Sequence, residues 1–234
     1  MAGLRTELEE RVLTVTLDRP HARNALDREL ILALTELARD VASDEAVDVV
    51  IVTGVDPAFC SGLDVKQLEA EGPAFLRLAS SPETNPFLAV RDCPKPVIAA
   101  VNGPAVAGGL ELALACDIVV ASERATFVDP HAKIGYVSVQ GLSAALVQAL
   151  GPSLARELSF TGNPIDAATA LRAGLASRVV PHDELLATAL AFARDIAAVD
   201  QPTVRAIKEA YRRSLLALTE APAHWETERG LRVH

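Results

Sequence analysis

The chain has 234 residues, half of them hydrophobic and 4% aromatic. That length can bury a substantial core in one large domain, or in one domain with a helical extension. A formal net charge of -9 argues against nucleic acid as a general partner, and no apolar run reaches the roughly 18 residues that mark a membrane span.

In chain order, the first ten residues carry charges where a secretory signal needs an apolar stretch, so the expected location is cytoplasmic. Val12–Leu17 alternates and is β-branched, which predicts a strand. A loop over residues 18–24 follows. Asp27 is then placed to cap a helix reaching about Ala42, with Leu30, Leu34, Leu37 and Val41 on one face. Val47–Val52 predicts a buried strand ending at Thr53-Gly54. Residues 66–92 contain Gly72-Pro73, Ser80-Ser81-Pro82 and Asn85-Pro86, and read as a helix broken by turns, the kind of segment that can cover a site. Pro96–Val101 and Asp117–Ser122 repeat the strand outline, and strands alternating with helices make an α/β core.

Beyond Gly141 the pattern is helical, over Leu142–Leu150, Ser153–Phe160, Asp166–Ala173, Asp183–Ala198 and Gln201–Thr219. Arg205, Lys208, Arg212 and Arg213 on the last helix mark either a solvated face or a contact to a subunit or a phosphate. Cys60, Cys93 and Cys116 are odd in number and far apart, which fits small buried apolar residues better than a disulfide framework or a zinc cluster. His21, His182, His224 and His234 show no ligand spacing, and His182 stands just ahead of Asp183, a candidate helix cap. No metal site is expected.

Two segments carry chemistry. Ala58–Asp64 follows a strand. It reads either as a strand-to-helix turn, with Gly62 supplying an unusual dihedral and Asp64 a cap, or as a loop exposing the Leu63 N–H to a ligand. Asn102–Asp117 is a glycine-containing loop running into an apolar helix. Gly108 and Gly109 there let backbone approach a ligand closely, and the helix start offers N–H groups. Together the segments supply two backbone donors from separate loops, as an oxyanion hole requires. Glu111 lies in the first helical turn among Leu110, Leu112, Ala113, Leu114 and Ala115. It reads either as a carboxylate favoured by the helix dipole or as a buried acid/base group whose pKa desolvation tends to raise.

With these residues in view, the chain resembles the crotonase, or enoyl-CoA hydratase/isomerase, superfamily. The matching text is Ala58–Asp64, Lys95–Gly103 and Ala107–Asp117, joined by Arg23-Asn24-Ala25-Leu26 and Ala173-Gly174-Leu175-Ala176. The resemblance implies a ββα spiral core with a C-terminal helical region, here an acyl-CoA-binding core over residues 1–180 and helices over 181–234. It implies that Leu63 and Gly108 hold a thioester carbonyl. It also implies that Arg23, Ala25, Ser61, Gly62, Asp64 and Val65 lie in the loops that grip coenzyme A. The coenzyme A thioester is then the substrate and no cofactor is expected. A homotrimer, often paired into a hexamer, is the expected assembly.

The chain departs from the hydratase pattern at two places. Where hydratases of the family carry a second glutamate after a proline, Ala125-Thr-Phe-Val-Asp-Pro-His131 puts a histidine. His131 either transfers a proton or serves as a loop residue bonded to Glu111 or Asp129. A Pro-Gly-rich turn of the family is replaced by Tyr136-Val-Ser-Val-Gln-Gly141, so Tyr136, Ser138 and Gln140 either shape the acyl pocket or serve as packing and capping residues. The family also continues into further helix past the match to Ala223–Arg229, whereas this sequence ends at His234. The expected reaction is hydration of an α,β-unsaturated acyl-CoA, with Glu111 acting on water and His131 assisting. The alternatives are isomerisation or another acyl-CoA reaction using Glu111 alone, and acyl-CoA binding without catalysis.

Overall fold

A computed structural model describes residues 3–138 and 141–214. The strands are β1 (Leu4–Glu9), β2 (Val12–Leu17), β3 (Val49–Gly54), β4 (Val97–Val101), β5 (Ala105–Val106), β6 (Ile118–Ser122), β7 (Thr126–Val128), β8 (Ile165–Asp166) and β9 (Arg178–Val180). The helices are α1 (Arg28–Ser43), α2 (Val65–Glu71), α3 (Pro73–Ser80), α4 (Pro86–Asp92), α5 (Gly108–Ala115), α6 (His131–Ile134), α7 (Leu142–Thr161), α8 (Ala167–Ala173) and α9 (Leu185–Ala197). A further helix, α10, occupies 201–214. Gln140, the stretch Ala223–Arg229, His224, His234 and the expected end of the last helix at Thr219 lie outside the described residues.

The main sheet has the order β1-β2-β3-β4-β6-β9, antiparallel only between β1 and β2. Its central strands are buried on both faces, as parallel strands between helical layers are. Alternate residues go to opposite layers. Val50 and Val52 of β3 join α1's Leu30, Ile31 and Leu34 on one side, while Val49 and Ile51 meet α9's Leu185, Ala189 and Ala193 on the other. Each large side chain buried in this way contributes roughly 1.5–3 kcal/mol.

Asp27 caps α1 as expected, accepting the Leu30 N–H at 2.8 Å. The strand expected at Val47–Val52 instead runs over Val49–Gly54, because Asp48 and Val49 first turn their N–H groups to the Arg11 carbonyl. The cap expected at Asp183 is displaced too: His182–Glu184 is a short 3-10 turn, and α9 begins at Leu185. The helices expected on either side of Gly151 are the two halves of α7, which breaks there at φ 72° and ψ 162°.

The basic cluster of α10 is not simply a solvated face. Lys208 is buried, and its Nζ donates to Asp117 at 2.7 Å and to the Lys95 carbonyl at 2.9 Å. No helix among the described residues is long and apolar enough to cross a membrane.

A second, smaller sheet has the order β5-β7-β8. Its strands are two or three residues long and leave no periodicity to read in the sequence. Together with β4 it frames the start of α5.

Candidate active site

The two loops expected to carry backbone donors pack directly against each other. Cys60 bridges Ala105 in parallel, and the Val106 N–H donates to the Cys60 carbonyl at 3.0 Å. The crossing is too close for side chains. A methyl group on Gly109 would lie 2.0 Å from the Cys60 carbonyl oxygen, and one on Gly62 would lie 3.0 Å from the Gly108 nitrogen. Gly62 also has φ +89°, a conformation that other residues rarely adopt.

This crossing brings Leu63 beside Gly108. A methyl group on Gly108 would sit 3.6 Å from the Leu63 nitrogen. Leu63 forms an isolated bridge with Leu26 in which the Gly62 carbonyl and the Asp64 N–H make the bonds. The Leu63 N–H therefore takes no part in the bridge. Neither it nor the Gly108 N–H donates to another described residue.

Ala107, just ahead of Gly108, has φ 50° and ψ -117°, a strained setting for a residue with a side chain. Its N–H donates to the Val128 carbonyl at 3.0 Å, and its carbonyl accepts the Glu111 N–H at 3.0 Å. α5 carries no side-chain cap. Its first N–H groups keep the partial positive charge of a helix start.

Glu111 follows one turn after Gly108 and is buried. The Ser138 hydroxyl donates to its Oε1. The sequence left Ser138 as either a pocket or a capping residue, and the structure sets it on the carboxylate. Cys60, at the crossing, is buried, and burial pushes its thiol up to about 12, so it stays neutral. Cys93 and Cys116 are likewise free and buried.

Glu111 also opens into a cavity of about 630 Å³, walled by Phe87, Leu114, Leu142, Ile196, Val204 and Ile207 among others. Phe87 reaches both places, because a methyl group on Gly108 would lie 3.3 Å from its Cζ. Nothing in the sequence patterning pointed to Phe87.

His131 starts α6, and its Nδ1 pairs with the Asp129 carboxylate at 2.6 Å. Burial pushes Asp129 up, but hydrogen bonds from His131 and Ser159 outweigh it and hold the carboxyl below its ordinary value. His131 does not line the cavity that Glu111 opens into. Tyr136 is half-buried, and its N–H donates to the His131 carbonyl.

The remaining expected residues cluster around Arg19, which the sequence did not single out. Arg19 pairs with Asp27 at 2.9 Å and Asp64 at 3.2 Å, and donates to the Ala25 carbonyl. Arg23 and Asn24 are both left-handed, at φ 52° and 56°. Asn24 is fully buried and donates to the Val55 and Ala58 carbonyls, both at 2.7 Å. Ser61 donates to the Ala22 carbonyl at 3.2 Å. Asp64 caps α2 through the Lys66 and Gln67 N–H groups, while Arg23 and Val65 face outward.

These contacts lock the loop over 19–26 to the loop over 61–65. A second set secures the far side. His182 bridges Ser122 at 3.1 Å and Asp56 at 3.0 Å, and Asn102 donates to Asp56 at 2.9 Å. His182, read as a possible cap neighbour, is thus a tie across the carboxyl ends of the strands.

The family model for enoyl-CoA hydratase/isomerase matches residues 7–232. The chain belongs to the enoyl-CoA hydratase/isomerase family. A probable peroxisomal enoyl-CoA hydratase of Arabidopsis thaliana is 40% identical over 197 residues, covering 84% of this chain and 73% of the relative. The crystal structure of an enoyl-CoA hydratase from Mycobacterium paratuberculosis superposes with a TM-score of 0.88 at 46% identity, covering 97% of this chain and 95% of that one. A monofunctional enoyl-CoA isomerase from M. smegmatis gives 0.78 at 35% identity, with 92% and 94% covered. The crotonase-type α/β core followed by helices, expected from the sequence, is the fold of this enoyl-CoA hydratase/isomerase family member.

Proposed function

We propose that the protein hydrates α,β-unsaturated acyl-CoA thioesters. The observation that carries this reading is the close approach of the Leu63 and Gly108 backbones one turn ahead of Glu111, which itself opens into an apolar cavity. A thioester carbonyl held by two aimed donors draws electrons out of the conjugated double bond. Glu111 takes a proton from water, the hydroxide adds to C3, and the enolate oxygen rests on the two N–H groups. A proton delivered to C2 then closes the addition. His131 is the donor in this reading: Asp129 accepts from Nδ1, the imidazolium form gives its Nε2 proton to C2, and the proton that Glu111 took from water is released to solvent as the ring takes up another.

Arg23, Ala25, Ser61, Gly62, Asp64 and Val65 form the rim that receives coenzyme A, and Tyr136 borders the acyl side. No cofactor enters the scheme. A homotrimer or a pair of trimers in the cytoplasm fits the reading, and exposed Phe160 and Ile134, on helices that pack together, offer apolar surface for assembly.

The test is water addition to crotonyl-CoA and longer enoyl-CoAs. Glu111→Gln is expected to lose at least a hundredfold in kcat, within the usual scale of general acid–base catalysis. Equal rates for the two proteins remove Glu111 from the mechanism.

Isomerisation is the second reading, favoured by the absence of a second glutamate at position 131 and by the likeness to a monofunctional isomerase. His131→Ala separates the two. It cripples a hydratase that uses two groups and leaves a one-glutamate isomerase active. Tight acyl-CoA binding with no turnover across a panel of thioesters points instead to a binding protein.

A further inference from the structure

Ser138 and Glu111 are 27 residues apart in sequence and meet only in the fold. The serine lies past α6, in the segment that departs from the family's Pro-Gly-rich turn. Glu111 sits beside the buried, neutral Cys60 and within the apolar run Leu110–Ala113. Such surroundings disfavour a carboxylate, whereas a hydroxyl donating to it favours the charged form and limits its rotation.

We infer that Ser138 is a positioning residue for Glu111, orienting the carboxylate and keeping it ionised to act as a base. The inference rests on the proposed role of Glu111 and adds a residue to it. Among the described residues, Cys60 faces this carboxylate across the loop crossing, Arg91, Asp117, Lys208, Tyr211 and Arg212 line the same cavity, and His131 and Tyr136 precede Ser138 in the chain. Replacing Ser138 leaves all of them in place, so a change in the titration of Glu111 reports on the hydroxyl.

Two measurements test the inference together. Carbon-13 NMR of glutamate-labelled protein, with the Glu111 signal assigned by its loss in E111Q, follows the carboxyl through its titration. In Ser138→Ala the midpoint is expected to rise by about one pH unit, the equivalent of about tenfold in equilibrium constant. In parallel, kcat for the enoyl-CoA that wild type hydrates is expected to fall about tenfold, with the acid limb of its pH profile moved the same way and KM held within about twofold. Ser138→Thr, which keeps the hydroxyl, is expected to restore both.

A Glu111 midpoint in folded S138A within about 0.3 of wild type overturns the inference, because a packing role would leave it there. If S138A loses the fold, Ser138→Cys keeps the volume with a far weaker donor, and its midpoint is read in the same way. A wild type that hydrates nothing rejects the hydratase reading, and the NMR titration still decides the role of Ser138.

Discussion

A methyl group added at Gly109 or at Gly108 meets different surroundings, and the difference separates folding from function. At Gly109 it would meet the Cys60 backbone, with the carbonyl carbon at 2.7 Å and the oxygen closer still. Backbone cannot step aside, so Gly109→Ala forces the two loops apart and costs more than the roughly 1–3 kcal/mol of ordinary overpacking. At Gly108 the nearest atoms are Gly62 Cα and Phe87 Cζ, both at 3.3 Å, so a shift of a few tenths of an ångström in the Gly62 loop and the ring relieves the contact, against the ångström or more that Gly109 would demand. Gly108→Ala is therefore expected to keep its circular dichroism spectrum and melting point close to wild type while losing about a hundredfold in kcat/KM, comparable to the removal of one oxyanion donor. If Gly109→Ala melts like wild type, or if Gly108→Ala keeps full activity, the close crossing of the loops is not what builds the site. Much of this was legible in the sequence, since paired glycines ahead of an apolar helix have few other uses. The partner of Glu111 was not. No spacing rule links residues 111 and 138, because their meeting depends on where α6 and the turn after it run.

The helix α4 brings Phe87 against both the crossing and the cavity. Its N-cap is Asn85, whose side chain is buried and accepts the Phe87 and Leu88 N–H groups, both at 3.0 Å. Asn85→Ala strips both donors of their partner where water has little access, at a cost of about 1–2 kcal/mol. Urea unfolding checks this: the midpoint should fall while the slope stays constant, and an unchanged midpoint means that the cap is replaced. In the sequence Asn85-Pro86 read only as a turn breaking a helix, whereas Asp27 was read as the cap of α1. Elements with a cap and several turns could be read, since both signals are local. The edge strand β1 escaped because only Leu4 is buried, and its exposed charges Arg5, Glu7 and Glu9 shield an open sheet edge from unwanted pairing. β5, β7 and β8 escaped because a strand of two or three residues is defined by its neighbours.

Across the whole molecule, the sheet's polarity divides the labour between its two ends. Asp56, Asn102, Ser122 and His182 tie the carboxyl ends of β3, β4, β6 and β9, on the side where open α/β sheets place their ligands. The opposite end is held by charge. Arg11 ahead of β2 pairs with Asp48 ahead of β3, Arg205 of α10 stands 3.7 Å from the same carboxylate, and Lys208 pairs with Asp117 ahead of β6. The Arg11 hydrogen bond holds Asp48 below the ordinary carboxylate value, against the opposing effect of burial. A carboxyl lowered in the folded state adds stability above its unfolded value of about 3.9 and loses it as pH falls through the folded value. Asp129, held low by His131 and Ser159, acts in the same direction. The urea midpoint is therefore expected to stay nearly level from about pH 7 to 5 and to drop as pH falls below about 4. Asp48→Asn should begin from a lower midpoint at neutral pH and show a shallower acid drop, since the group that titrates has been removed. Its hydration rate at neutral pH and moderate temperature should match wild type, because Asp48 touches neither the loop crossing nor the cavity that Glu111 opens into. An acid limb equally steep in Asp48→Asn would assign the loss to other carboxylates, and a fall in activity without a fall in stability would mean that the two ends are coupled.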